Sequence, residues 1–233
     1  MSAVIDELSV TYPESDGTPM ADNTLQWDWI VRIVSELREL FAGQEVFVAG
    51  DLFWYPVRGN PRIVSAPDAL IAFGRPPGYR GSYKQWEEDD VTPQVVFEVL
   101  SPNNSNDEMR SKFAFYERHG VEEYYVIDPD EPTAQGFVRN DDSLVPITRL
   151  SGHVSPRLGI RFELVPDEVR IFTPSGRPFQ DRNDRIRDIE VELQRTGSAF
   201  EHERQRAIQA EHVSDVYRAK LRELGIDPEQ LQS

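Results

Sequence analysis

Glu98 sits inside the run Gln94-Val95-Val96-Phe97-Glu98-Val99-Leu100, and this placement constrains the fold more than any other feature of the chain. A stretch so nearly continuous in apolar side chains reads as a strand covered on both faces, central in its sheet. A carboxylate in such a place is costly unless it is paired, protonated or bound to a cation. Two more ionisable residues stand in apolar settings. Asp68 follows Pro67 at the head of Ala69-Leu70-Ile71-Ala72-Phe73, and Lys112 shares a helical stripe with Met109, Phe113 and Tyr116. The chain has only three lysines (Lys84, Lys112 and Lys220) against 22 arginines, so an inward lysine is not what its composition supplies by default. A compact ammonium whose pKa can shift suits that position.

The surrounding pattern predicts an α/β (α+β) fold. Asp22 and Asn23 offer N-cap oxygens, Gly43 a left-handed stop, and Ile30, Ile33, Val34, Leu37, Leu40 and Phe41 recur between them at helical spacing. Residues 45–55 and 62–73 read as paired strands and 94–100 as the central one. Ser105 and Glu108 fit a capping box opening a helix that runs to His119 before Gly120, and residues 123–128 form a further strand. Short strands are expected near 135–138, 144–148, 159–164 and 169–172. The order helix, three strands, helix, strand describes helices packed on a sheet. Three segments result: an acidic, loosely ordered tail over 1–23, a domain over 24–175, and a helical, coiled-coil-like extension over 176–233. In the extension, Ile186, Ile189, Leu193, Thr196, Phe200, Glu203, Ala207, Ala210, Ser214, Tyr217, Leu221 and Leu224 trace an a/d seam, weakened by Thr196, Glu203 and Ser214 and interrupted at Gly197-Ser198. The helix either folds back on its own domain or pairs with another copy. Its length favours pairing, so a homo-oligomer, a dimer, is expected.

Charge argues first against a polyanionic partner. Lys and Arg number 25 against 41 Asp and Glu, a net −16. The distribution modifies that conclusion. Residues 1–23 hold five acids and no base, whereas 57–86 hold Arg58, Arg62, Arg75, Arg80 and Lys84 against Asp68 alone, just before Glu87-Glu88-Asp89-Asp90. Tyr83-Lys84-Gln85-Trp86 lies in this charged insert, where it could meet a substrate; the other tryptophans, Trp27, Trp29 and Trp54, are expected in the core or at its rim. With no cysteine, disulfides, thiolate metal sites and cysteine nucleophiles are excluded, and a reducing, cytoplasmic setting is expected. No apolar run reaches the ~20 residues that span a bilayer, so no membrane partner is expected. The histidines His119, His153, His202 and His212 do not have metal-ligand spacing.

Asp68, Glu98 and Lys112 admit two readings. They form either a buried network tying helix to sheet, or a site in which two carboxylates on neighbouring strands hold a hard divalent cation and an ammonium orients water against a phosphodiester. The strings Ala66-Pro67-Asp68, Phe97-Glu98-Val99-Leu100-Ser101-Pro102, Lys112-x-x-x-Tyr116 and Gly120-Val121-Glu122-Glu123-Tyr124-Tyr125, with Asp128-Pro129, resemble the Uma-type family of endonucleases. That family falls in the PD-(D/E)XK, restriction-endonuclease-like superfamily, whose core runs helix, three-stranded meander, helix, strand. The resemblance implies Asp68 and Glu98 as catalytic residues and ligands of Mg²⁺ or Mn²⁺, with the Val99 backbone carbonyl as third ligand and DNA as substrate. It departs from the superfamily at Leu100, where a lysine would stand, and implies that Lys112 takes that role from the following helix. Asp51 could add an auxiliary ligand, although a strand-end cap is the simpler reading. The rival to a metal-dependent endonuclease is a non-catalytic oligomeric interaction module that keeps the fold.

Overall fold

The Asn23 carboxamide accepts the Gln26 amide at 2.8 Å and opens α1 (Thr24–Leu40), as a short polar side chain does at an N-cap. The computed structural model describes residues 10–223 apart from 16 and 18. After α1 follow β1 (Val46–Ala49), β2 (Trp54–Tyr55), β3 (Ala69–Phe73), β4 (Tyr83–Lys84), β5 (Val95–Val99), α2 (Asn106–Arg118), β6 (Glu123–Asp128), β7 (Thr133–Asn140), β8 (Ser143–Pro146), β9 (Arg161–Val165), β10 (Glu168–Phe172) and α3 (Arg182–Glu223). The chain divides into two units, Met1–Asp181 and Arg182–Ser233.

Six strands form one sheet in the order β1-β3-β5-β6-β7-β8. β1, β3 and β5 make an antiparallel meander, α2 crosses over, and β6 joins β5 in parallel. This is the element order expected from the sequence. Both faces are covered, which explains the near-continuous apolar strands. One face packs Trp29, Ile30, Ile33, Val34 and Leu37 of α1 against Val46, Val48, Ala69, Ile71, Val95, Phe97 and Val99, together with Phe162 and Ile171 of the β9–β10 hairpin. The other packs Tyr116, Phe113 and Phe115 of α2 against Phe47, Ala49, Leu70, Ala72, Val96 and Tyr124. By the two-residue period of a strand, Asp68 shares the α2 face with Leu70 and Ala72, and Glu98 shares it with Val96.

The predicted pairing of 45–55 with 62–73 is continuous from Val46↔Phe73 to Ala49↔Leu70 and beyond that survives as a single antiparallel bridge, Trp54↔Ser65. At Gly50 the backbone passes so close to the neighbouring strand that a Cβ would lie 3.2 Å from the Asp68 carbonyl oxygen, and Asp51 then adopts φ +47°. Trp54 and Tyr55 leave the sheet to pair in parallel with β4. Ser105 caps α2 as expected, accepting the Glu108 amide at 3.1 Å, and Gly120 follows the helix with φ +87°. The boundary expected at 175/176 lies a little later. Arg177 forks onto the buried Glu36 at 2.9 and 2.7 Å and Phe179 is part of the core, so this stretch folds with the first unit. α3 runs through Gly197 without a break. Ile186, Ile189, Leu193, Phe200 and Tyr217 of the predicted seam are exposed, as are Val191, Ile208, Val213 and Val216 off it. Leu224 lies outside the described residues. No helix among the described residues is long and apolar enough to cross a membrane.

Candidate active site

Ala69 pairs with Phe97 across β3 and β5, and the next step of that antiparallel register sets Asp68 opposite Glu98. Both carboxyls point into the α2 face and both are buried, Asp68 at 9% and Glu98 at 1% exposure. They face each other across the register, so the negative charge on one disfavours ionisation of the other. Asp68 Oδ2 also accepts the Val99 amide at 2.6 Å. From α2, Lys112 Nζ donates to Glu98 Oε2 at 2.8 Å, and one turn later the Tyr116 hydroxyl donates to Glu98 Oε1. The i,i+4 spacing that puts Lys112 and Tyr116 on one helical face therefore delivers two donors to one carboxylate. Ser65 Oγ lies 3.0 Å from the Tyr116 hydroxyl and completes the chain.

The protonation pattern follows from burial and neighbours. Burial lifts the Asp68 carboxyl well above the usual carboxylate range, and the Glu98 charge lifts it further, outweighing the downward pull of the Val99 amide and the Lys112 ammonium. For Lys112, burial alone would lower the ammonium. The Glu98 charge and hydrogen bond, with Asp68 and Glu108 behind them, reverse that and hold it above the ordinary lysine value. Burial and then Glu98 push the Tyr116 phenol well up, so it stays a donor. The site thus combines an ammonium and a phenol that hold their protons with an Asp68 carboxyl whose charged form is disfavoured.

A cleft of about 500 Å³ opens onto this cluster, lined by Asp68, Lys112, Ser65, Gln26, Asp51 and Phe53 among others. The structure thus brings together Asp68, Glu98, Lys112 and, on the cleft wall, Asp51. The left-handed Asp51 backbone donates to the Pro67 carbonyl at 3.2 Å, fixing its side of the cleft. The Val99 carbonyl already has a partner, because the Gln26 amide donates to it at 2.8 Å while Gln26 Oε1 accepts the Asp22 amide at 2.8 Å. Sequence reasoning assigned nothing to Gln26 or Ser65 and gave Tyr116 no role. Gln26 was detectable as a polar residue, like Glu36, on the buried α1 stripe with Trp29, Ile30 and Ile33.

Among the described residues no group of three or more His, Cys, Asp and Glu stands ready to hold a metal ion. The donor set here is a different one, two carboxyls and a backbone carbonyl. It suits a hard cation that keeps several waters, which would offset the mutual repulsion of Asp68 and Glu98. The basic segment is largely neutralised by the acidic run that follows it: Arg75 pairs with Asp89 at 2.6 Å, Arg80 with Glu88 at 2.5 Å and Lys84 with Glu87 at 3.5 Å. Tyr83, expected near a substrate, is fully buried with its hydroxyl on the Val91 carbonyl, while Trp86 is half-buried. Trp29 and Trp54 are in the core and Trp27 is exposed at its rim.

Residues 17–158 match the model of the Uma2 family, described as "Putative restriction endonuclease". Among solved structures, one similar chain is "a putative nuclease belonging to DUF820" from Anabaena variabilis ATCC 29413, with 15% sequence identity, a TM-score of 0.45, and coverage of 64% of this chain and 85% of that one. No curated protein matches.

Proposed function

Because the chain belongs to the Uma2 family of restriction-endonuclease-like proteins, we propose that it is a metal-dependent endonuclease hydrolysing DNA phosphodiester bonds in the cleft above Asp68 and Glu98. The observation that carries this reading is the register-opposed Asp68–Glu98 pair with the Lys112 ammonium 2.8 Å from Glu98, at the floor of an open cleft. A purely structural ion pair has no need of a second buried carboxyl, nor of an open cleft beside it.

Asp68 and Glu98, with the Val99 carbonyl, would hold Mg²⁺ or Mn²⁺, and Asp51 is the auxiliary ligand. When bound, the cation neutralises charge on the phosphate and acidifies water. Tyr116 and Lys112 fix the Glu98 carboxylate from above. Because Lys112 stays protonated, it serves as a donor that orients the attacking water and faces the negative charge building on phosphorus, and does not act as a base. Water oxygen bonds to phosphorus, one P–O ester bond breaks, and the leaving alkoxide takes up a proton. The exposed apolar residues of α3, among them Leu193 and Phe200, supply the surface through which two copies would pair into a dimer. The absence of cysteine suits a cytoplasmic setting.

A Mn²⁺ titration separates this reading from a non-catalytic interaction module. The expected result is saturable binding by the wild type that is lost in Asp68→Ala; equal isotherms for the two proteins would favour the module.

A further inference from the structure

A row of aromatic rings leaves the cleft. Phe53 lines the cleft wall, its ring lies 6.1 Å from Tyr55, Tyr55 meets Tyr12 edge-on at 5.1 Å, and Tyr12 tilts against Trp86 at 4.9 Å. Tyr12 is the odd member. The other three belong to the 53–86 stretch, whereas Tyr12 comes from the acidic N-terminal stretch and is seated by four contacts. Besides the two rings, its hydroxyl accepts the Gly59 amide at 2.5 Å, and the Lys84 ammonium lies 6.0 Å from its ring centroid. The next two residues hold the segment down: the Pro13 carbonyl accepts the Tyr55 hydroxyl at 2.7 Å, and the Glu14 carboxylate occupies the space a side chain at Gly81 would need. Farther along, Pro19, Met20, Ala21 and Asp22 form one wall of the same cleft, and Asp22 is tied down by the Ser101 hydroxyl at 2.5 Å.

A flat ring packed edge-on to Tyr55 and tilted against Trp86, with a backbone N–H at its polar edge and an ammonium beside it, fills an aromatic niche of the kind a protein offers an unpaired nucleobase and its phosphate. The acids Glu14, Asp16 and Asp22, with no Lys or Arg in residues 1–23, give the segment the charge of the polyanion it would displace. We propose that Tyr55, Trp86, Lys84 and the Gly59 amide form a stacking site for an unpaired base of the substrate strand, and that the acidic N-terminal segment closes it with Tyr12 in the base's place. This deepens the nuclease reading and rests on it: it assigns the substrate class as DNA with a single-stranded portion one aromatic row away from the scissile bond.

The test is fluorescence anisotropy of a labelled single-stranded oligonucleotide and of its duplex, in EDTA, with full-length protein. Tyr12→Ala is expected to bind the single strand about tenfold more tightly than wild type, the scale of one base stacked on an aromatic side chain, with the duplex changed much less. Adding Trp86→Ala should remove the gain. Tyr12→Phe, which keeps the ring but not the hydroxyl, should bind more tightly than wild type and less tightly than Tyr12→Ala; it also shows that the variant folds, as does an unchanged circular dichroism melt. Weaker binding by Tyr12→Ala would make Tyr12 part of the platform and overturn the proposal, as would unchanged binding or an equal gain on duplex. If wild type cleaves DNA with Mn²⁺ while Tyr12→Ala behaves as wild type, only the stacking site is lost. If neither protein binds or cleaves any oligonucleotide, the nuclease reading fails and takes this one with it.

Discussion

Lys112 on α2 reaches 2.8 Å from Glu98 on β5, and it is the charge partner of a carboxylate that is 1% exposed. Removing the lysine takes away the cation that answers Glu98 in the core and leaves it the Tyr116 hydroxyl as hydrogen-bond donor. Lys112→Met is therefore expected to destabilise the metal-free protein by roughly 3–5 kcal/mol, and adding Glu98→Gln should recover most of that loss. Urea unfolding of the two single variants and the double variant measures the coupling; additive losses would mean that the pair does not interact as described.

Asp68 gives a pH signature. Its folded carboxyl titrates well above the ordinary value, so the folded state binds an extra proton between the usual carboxylate range and that raised value. Stability is full below this window and falls as pH rises through it. Asp68→Asn, which is neutral at every pH and whose amide can donate to Glu98, should make the metal-free protein more stable at neutral pH by about 1–3 kcal/mol and flatten the dependence. A variant less stable than wild type at pH 7 would contradict the raised value.

The same proton must leave when a cation binds. Mn²⁺ affinity is expected to rise with pH through the window set by Asp68, and calorimetry in buffers of different ionisation enthalpy should register a released proton. Heats that do not depend on the buffer would mean that the carboxyls were already ionised.

Gln26 tests the third ligand. Gln26→Leu removes the donor of a 2.8 Å hydrogen bond to the Val99 carbonyl and should cost about 1–3 kcal/mol in thermal stability. If that carbonyl is a metal ligand, saturating Mn²⁺ should restore part of the loss, because the cation then satisfies the oxygen. A loss of the same size with and without Mn²⁺ would remove Val99 from the ligand set.

The fold was legible where local chemistry decides structure. Asn23 and Ser105 cap the helices they were expected to cap, and the apolar character of 95–99, broken only by Glu98, marks a strand buried on both faces. The grouping of Asp68, Glu98 and Lys112 was legible because each is a charge in an apolar pattern and only mutual proximity makes that tolerable. What remained hidden depends on contacts distant in sequence. The break at Gly50-Asp51 arises from the Asp68 carbonyl approaching Gly50, and Gln26 finds the Val99 carbonyl 73 residues away. The excess of bases before Glu87 was legible, but a charge count along the chain does not show that Arg75 and Arg80 turn onto Asp89 and Glu88.

The central claim is that Asp68 and Glu98 together make a hydrolytic metal site. Cleavage of single-stranded and gapped duplex DNA by purified protein, titrated with Mn²⁺, tests it most directly. Metal-dependent cleavage is expected of wild type, with its loss in both Asp68→Ala and Glu98→Ala. Cleavage by either variant at the wild-type rate would contradict it.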